Sequence, residues 1–239
     1  MMNQEQIRKL SIKFQTSDFN VAQEYCQHIF LSQFYQLSQS EKVLFKGGTA
    51  LRIVFDSPRF SEDLDFSSNL SVEVLENLLV STLKNMQNFN IRTELQESKA
   101  TSGGFLAIFV CEFLDFSIQL QMEVSNRRKT KFVGELHVIV SDFLPSYTLM
   151  CLNTDQLIAE KIQATLSRQK PRDFFDIYFL LRGRLIAPEQ KNELAEIKRL
   201  VSKSAINFSG ELKQFLPVSF HSIIKNFRQS LISEIDRHI

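Results

Sequence analysis

Asp63 and Asp65 are the residues whose types and spacing point most directly to chemistry. They lie in SEDLDF, residues 61–66, which we interpret as a strand. Alternate side chains of a strand share a face, so Ser61, Asp63 and Asp65 would project together at intervals of about 6.5 Å. Carboxylates at that spacing could bind one Mg²⁺ or two such ions, with phosphates completing the coordination. The alternative is an ordinary polar strand end, which an isolated D-x-D more often represents.

A glycine pair, Gly47-Gly48, lies upstream of the two aspartates. Residues 43–45 favour a strand, and TALRIVF favours a helix that begins at Thr49. Glycine permits close backbone approach, and the free N–H groups at a helix start attract phosphate oxygens. Thr49 could either cap the helix or contact a phosphate. This order of elements would place a triphosphate between a helix N-terminus and a metal.

Glu123 is a candidate third carboxylate. It lies on the polar side of SIQLQMEVS, residues 117–125, whose alternation predicts a strand. If this strand pairs with the aspartate strand, Glu123 lies about 4.8 Å from its neighbour and could be a metal ligand or a base. A solvated glutamate on an exposed face is an equally weighted alternative. Basic residues that could hold an RNA backbone follow it, namely Arg127, Arg128, Lys129 and Lys131.

Lys161 and Asp173 are the candidate residues further along the chain. On a helix that begins at Thr154, Lys161 flanks an apolar stripe and could direct its ammonium group at an anion. Asp173 and Asp176 share a face of the next helix at spacing i, i+3. Residues 161–184 contain six Lys or Arg and two Asp, a local charge of +4 that would attract a polyanion. The alternative is a charged loop between two surface helices.

The periodicity of the chain predicts an α+β fold in two parts. Residues 1–150 combine helices with the strands of one mixed sheet, and residues 151–239 form a helical lobe in which nothing after Tyr147 has strand alternation. In the first part, the predicted helices are 3–14, 20–38 and 71–86, and the predicted later strands are 89–97, 104–113, 117–125 and 131–140.

Composition excludes several classes of protein. The 239 residues include 28 Lys and Arg against 27 Asp and Glu, and 44% are hydrophobic, which is typical of a globular protein. No apolar run approaches the roughly 18 residues of a membrane span, and the N-terminus lacks a signal peptide, so we expect a soluble cytoplasmic protein with no membrane contact. The three cysteines are too dispersed for a disulfide framework or a zinc site; they are Cys26, Cys111 and Cys151.

The segments KGGTALRIVFDSPRFSEDLDFS and AEKIQATLSRQKPRDFFDIYFLL resemble the AbiEii family of nucleotidyltransferase toxins, from abortive-infection AbiE systems. The resemblance extends over residues 41–182. It implies a polymerase-β-like nucleotidyltransferase core with an added helical part. It also implies that Lys161 is the phosphate-binding lysine and Asp173 the acid of the second lobe. The implied nucleotide and metal motif comprises Gly48, Thr49, Ser61, Asp63 and Asp65, to which we add the neighbouring Gly47.

This resemblance implies a Mg²⁺-dependent enzyme that transfers an NMP from an NTP to an acceptor hydroxyl. Asp63 and Asp65 would hold the metal ions, and Asp173 would position Lys161 or a nearby arginine. Glu123, which we place by strand order and not by the resemblance, would complete the metal coordination. The implied biological role is that of a toxin paired with an antitoxin in phage defence, with tRNA as a possible acceptor. A protein acceptor, or a silent module that binds nucleotide or RNA without transfer, remains the alternative.

Overall fold

The computed structural model describes residues 2–126 and 131–239, which divide into two compact units. The first unit comprises Met1–Asp56 and Phe60–Asn153, and the second comprises Ser57–Arg59 and Thr154–Ile239. The short segment Ser57–Arg59 therefore belongs to a different unit from the residues on either side of it.

Three helices of the first unit have a side-chain cap at their N-terminus. Asn3, Ser17 and Ser71 each accept a hydrogen bond from a backbone N–H in the first turn of the helix that follows. The third helix has no side-chain cap and begins directly at the glycine pair. These helices are α1 (Gln4–Phe14), α2 (Asp18–Phe34), α3 (Gly47–Phe55) and α4 (Val72–Met86).

A seven-stranded mixed sheet in the order β3-β4-β5-β2-β1-β7-β6 forms the rest of this unit. β1 is antiparallel to β2 and parallel to β7, while β2 is parallel to β5. The fold therefore matches the predicted α+β class with a mixed sheet. The strands are β1 (Val43–Lys46), β2 (Leu64–Ser68), β3 (Arg92–Thr101), β4 (Gly104–Phe113), β5 (Phe116–Ser125), β6 (Gly134–Ile139) and β7 (Tyr147–Leu152).

The expectation that no strand follows Tyr147 is wrong for β7. Residues 147–152 read YTLMCL, a largely apolar run without the alternation that marks a half-buried strand. In the structure Phe45 of β1 pairs with Cys151 of β7, and both side chains are fully buried. A strand enclosed in this way shows no strict polar alternation, and its periodicity alone cannot separate it from a buried helix.

Aromatic packing fixes which face of β2 is buried. Phe66 lies 5.6 Å from Phe34 of α2 and 5.4 Å from Phe45 of β1, measured between ring centroids, and all three side chains are fully buried. Successive side chains of a strand point to opposite faces. Burial of Phe66 therefore turns its neighbour Asp65 to the other face of the sheet.

The second unit is helical, as predicted, and has its own aromatic core. Phe175 and Phe227 stack with ring centroids 5.8 Å apart, and both side chains are almost fully buried. Within residues 2–126 and 131–239, no helix is long and apolar enough to cross a membrane. The helices of this unit are α5 (Thr154–Arg168), α6 (Pro171–Arg182), α7 (Lys191–Lys203), α8 (Phe208–Leu212), α9 (His221–Lys225) and α10 (Phe227–Asp236).

Candidate active site

Strand register places Lys46, Asp65 and Glu123 in one row across the sheet. The antiparallel pairing of β1 with β2 sets Lys46 opposite Asp65, and the parallel pairing of β2 with β5 sets Asp65 beside Glu123. Paired residues project from the same face with Cβ atoms about 5 Å apart. The strand pairing on which the Glu123 prediction depends is therefore present, and two of the three predicted carboxylates lie side by side.

Lys46 is a member of this row that sequence reasoning missed. Its exposed fraction is only 7%, and its Nζ donates a hydrogen bond to Ser125 Oγ over 3.2 Å. A buried ammonium group needs hydrogen bonds and negative charge nearby, and its neighbour in the row is a carboxylate. Only its position immediately before the glycine pair could have identified it.

Gly47 leaves the space that the Asp65 carboxylate occupies. A Cβ atom built on Gly47 would lie 2.0 Å from Asp65 Oδ2, far inside contact distance. Gly47 also has a φ of +83°, which side chains disfavour. The helix begins here and not at Thr49 as expected, so Asp65 lies against the first residue of α3. Because the start of a helix carries partial positive charge, it stabilises a carboxylate there.

Ser61 and Asp63 precede the strand that carries Asp65. The sequence predicts that all three share one strand face, but β2 begins at Leu64. The backbone oxygens of residues 61–63 are bonded to side chains instead of to a neighbouring strand. Gln27 Nε2 donates to the carbonyl oxygens of residues 61 and 62 over 2.8 and 3.0 Å, and Thr49 Oγ1 donates to that of residue 63. Sequence reasoning missed Gln27, since nothing in the pattern of α2 distinguishes it.

Thr49 is buried in the first unit, and its hydroxyl donates a hydrogen bond to the backbone. Its side chain is fully buried, and Oγ1 lies 2.5 Å from the carbonyl oxygen of Asp63. The sequence left open whether Thr49 caps the helix or contacts a phosphate; because α3 begins at Gly47, Thr49 is not the residue that caps it. The hydroxyl holds the segment that carries Asp63, while Gly48 is buried in the first turn of α3.

The carboxylates of this site fit Mg²⁺ by their chemistry. Asp65 and Glu123 present hard oxygen atoms from neighbouring strands, and Asp63 lies two residues before Asp65. Among residues 2–126 and 131–239, no three His, Cys, Asp or Glu side chains converge as a ready-made metal cage. Mg²⁺ does not require such a cage, because it commonly uses one or two carboxylates together with substrate phosphates and water.

Lys161 belongs to a buried cluster of charges in the second unit. Its Nζ donates to Asp176 Oδ2 over 2.6 Å, and Arg59 donates to both oxygens of the same carboxylate over 2.9 and 3.1 Å. The exposed fractions are 8% for Lys161, 4% for Arg59 and 1% for Asp176. Burial alone would raise the pKa of Asp176, but Arg59 and Lys161 together hold that pKa below its ordinary value. The carboxylate therefore stays ionised between two cations.

The carboxylate of Asp173 bonds Arg168 and the backbone of Lys170, and not Lys161. Its Oδ1 accepts from Arg168 over 2.7 Å, and its Oδ2 accepts from the backbone N–H of Lys170 over 3.3 Å. The second bond caps the start of α6. Asp173 was expected to position Lys161 or a nearby arginine; the structure places it on Arg168, and Asp176 is the carboxylate that contacts Lys161.

Of the predicted basic run, Arg127, Arg128 and Lys129 lie outside the described residues, while Lys131 is exposed.

The first unit therefore combines a mixed sheet, a glycine turn into a helix and carboxylates on two central strands. The family model for the nucleotidyl transferase AbiEii toxin of type IV toxin–antitoxin systems matches residues 29–236. The chain therefore belongs to the AbiEii family of nucleotidyltransferase toxins. The predicted family, the enzyme class and the α+β fold with a mixed sheet and a helical part are confirmed. Membership implies an NTP substrate and an antitoxin partner.

Solved structures from two bacteria share this fold. JHP933 from Helicobacter pylori is 19% identical, with 93% of each chain covered and a TM-score of 0.66. MenT4, a nucleotidyltransferase toxin from Mycobacterium tuberculosis, is 15% identical, with 99% of this chain and 90% of that chain covered and a TM-score of 0.68. A search of curated protein sequences finds no match.

Gly47→Ala should destabilise the first unit far more than Gly103→Ala. The new methyl group would overlap the Asp65 carboxylate and hold a non-glycine residue at positive φ, whereas a Cβ at Gly103 meets nothing within 4 Å. The conformational strain alone costs about 1–2 kcal/mol. Chemical denaturation of both variants measures the difference in unfolding free energy. Equal stability of the two variants would show that Gly47 has room for a side chain.

Asp176→Asn should lower the unfolding free energy at pH 7 by about 3–5 kcal/mol, because it leaves two buried cations without their counter-charge. The folded-state pKa of Asp176 lies below the unfolded value of about 3.9. The stabilisation is therefore complete above that pH and is lost as pH falls through the folded-state pKa. Denaturation from pH 7 to 2.5 should show the wild type approaching the variant in acid. Asp236→Asn, at an exposed ion pair, is the control; a difference of Asp176→Asn from wild type that is constant with pH contradicts the assignment.

Proposed function

We propose that this protein is a Mg²⁺-dependent nucleotidyltransferase toxin that transfers an NMP from an NTP to an acceptor hydroxyl. The observation that carries the proposal is the row of Lys46, Asp65 and Glu123, with the Asp65 carboxylate in the space left by Gly47. A carboxylate pair beside a helix N-terminus provides for a cation and a phosphate at adjacent positions.

The carboxylates of Asp63 and Asp65 would bind the metal ions, and Glu123 would be the third ligand. When bound, Mg²⁺ neutralises phosphate charge and favours ionisation of the attacking hydroxyl. Asp65 is half-buried and Glu123 is exposed, so substrate and water can reach these carboxylates. The helix start at Gly47 and Gly48 would receive phosphate oxygens through backbone N–H groups.

The transfer itself joins the acceptor oxygen to the α-phosphorus of the NTP. The bond from that phosphorus to the oxygen bridging the β-phosphate breaks, pyrophosphate leaves with the electron pair, and the hydroxyl proton passes to solvent. Most of the catalytic effect would come from positioning and from charge stabilisation. Ser61 lies two residues before Asp63, and its half-buried side chain would contribute to nucleotide binding.

Lys161 and Asp173 enter the proposal through the family motif. We assign Lys161 to phosphate binding and Asp173 to positioning the basic side chains around it. Lys161 shares the Asp176 carboxylate with Arg59, and this bond fixes the position of the Lys161 ammonium group. A positioned ammonium group can stabilise the negative charge of a phosphate.

RNA, and tRNA in particular, is the acceptor that we propose, with a role in phage defence beside an antitoxin. The basic residues of segment 161–184 support an acceptor with a phosphate backbone. Arg127 and Arg128 would add phosphate contacts after the Glu123 strand. The protein is proposed to act in the cytoplasm, where both NTP and RNA are available.

The proposal is tested by incubating the purified protein with each α-labelled NTP, Mg²⁺ and a cell lysate. We expect label in macromolecules that ribonuclease digests, none with Asp65→Asn, and wild-type labelling with Asp115→Asn, an exposed aspartate of the same unit. Wild-type labelling by Asp65→Asn would contradict the assignment of Asp65 as a metal ligand. Label that resists ribonuclease and is released by protease would identify a protein acceptor, and no label with any NTP would leave a silent binding module.

Lys161→Met should reduce kcat/KM for the NTP by the equivalent of about 2–4 kcal/mol, the range for one electrostatic stabiliser. Arg59 retains its two bonds to Asp176 in this variant, so the fold should persist. Lys198→Met is the control, since Lys198 is a surface lysine paired with Asp236. A Lys161→Met protein that loses thermal stability but keeps kcat/KM would make this lysine structural.

A further inference from the structure

Four consecutive residues before the Asp65 strand are held by side chains of α2 and α3. The guanidinium of Arg52 lies 4.1 Å from the ring centroid of Phe60 and forms hydrogen bonds of 2.8 and 3.1 Å to the carboxylate of Glu24. Gln27 bonds the carbonyl oxygens of residues 61 and 62, and Thr49 bonds that of residue 63. We call residues 60–63 the Asp63 segment. Its conformation depends on these side chains because it lies outside every strand.

Gln27 supplies two of these contacts from one group. Its exposed fraction is 1%, and its Nε2 bonds two successive backbone oxygens. A primary amide has two N–H donors, so each oxygen can receive its own hydrogen atom. A glutamate or methionine of similar length has no donor to offer. Losing the amide would remove the Gln27 donor from both of these partly buried hydrogen bonds, and that loss would fall on the segment carrying Asp63.

We propose that Gln27 is a positioning residue for nucleotidyl transfer, acting through the Asp63 segment to fix the Asp63 carboxylate relative to Asp65. This inference rests on the proposed function, because it assigns a role in the metal site. Residues that orient metal ligands from outside the coordination sphere commonly affect metal affinity or activity by about 10- to 100-fold. Gln27 and Thr49 both meet that description, since each donates to the backbone of the segment that carries Asp63.

Gln33 provides a matched control within the same helix. It is also a buried glutamine of α2, with an exposed fraction of 8%, but its Nε2 contacts Ser32 Oγ at 3.5 Å and not the Asp63 segment. Gln27→Met and Gln33→Met therefore remove the same amide from the same helix. Only the first change releases the carbonyl oxygens of residues 61 and 62.

Three measurements on these two variants test the proposal. Mn²⁺ binding, followed by electron paramagnetic resonance of the protein without substrate, should weaken about 10- to 100-fold in Gln27→Met and stay unchanged in Gln33→Met. The loss in transfer should appear as a higher metal requirement and a lower kcat. Amide hydrogen exchange in residues 60–66, which needs neither metal nor NTP, should accelerate only in Gln27→Met.

Unchanged exchange and unchanged Mn²⁺ affinity in Gln27→Met would overturn the proposal, whatever the effect on global stability. If Gln27→Met does not fold, Thr49→Val and Thr49→Ser replace it: the serine keeps the donor to residue 63 and should retain Mn²⁺ affinity, and the valine should lose it. Equal affinity in these two would also overturn the proposal. A wild-type protein that binds Mn²⁺ but transfers nothing would defeat the proposed function alone.

Discussion

The register of β2 between β1 and β5 is the constraint on which the site depends. Because side chains alternate along a strand, a slip of one residue would bury Asp65 and expose Phe66. Packing of Phe66 on α2 and β1 therefore selects the face from which Asp65 projects. The same register brings Lys46 and Glu123 into line with Asp65. Hydrophobic burial on one side of the sheet thus determines the arrangement of charge on the other.

The charged groups are stabilised by different means in the two units. Asp65 lies in the gap left by Gly47, at the start of a helix whose partial positive charge favours a carboxylate. In the second unit, Asp176 is deeply buried and depends on direct bonds from Arg59 and Lys161. The first arrangement leaves part of the row of Lys46, Asp65 and Glu123 exposed to a ligand. The second is a buried ion cluster in which losing one member is costly.

The sequence predicted the helical second part, the mixed sheet and the family, since long periodic segments and paired motifs carry those signals. It also placed Glu123 correctly beside the aspartate strand. It could not predict β7, whose apolar run lacks alternation, or that β2 begins only at Leu64. The carbonyl oxygens of residues 61 and 62 accept hydrogen bonds from Gln27, a long-range partner, and not from a neighbouring strand. The i, i+3 spacing of Asp173 and Asp176 likewise could not determine which of them contacts Lys161, because that contact depends on how two helices pack.

We propose that the carboxylates of Asp63, Asp65 and Glu123 bind the metal ions of a nucleotidyl transfer. A crystal structure with Mn²⁺ and a non-hydrolysable NTP tests it directly, because anomalous scattering locates Mn²⁺ independently of the surrounding atoms. We expect a peak at coordination distance, about 2 Å, from carboxylate oxygens of Asp65 and of Asp63 or Glu123. We also expect phosphate oxygens at the start of α3, near Gly47. Mn²⁺ and triphosphate bound elsewhere, with the row of Lys46, Asp65 and Glu123 empty, would contradict it.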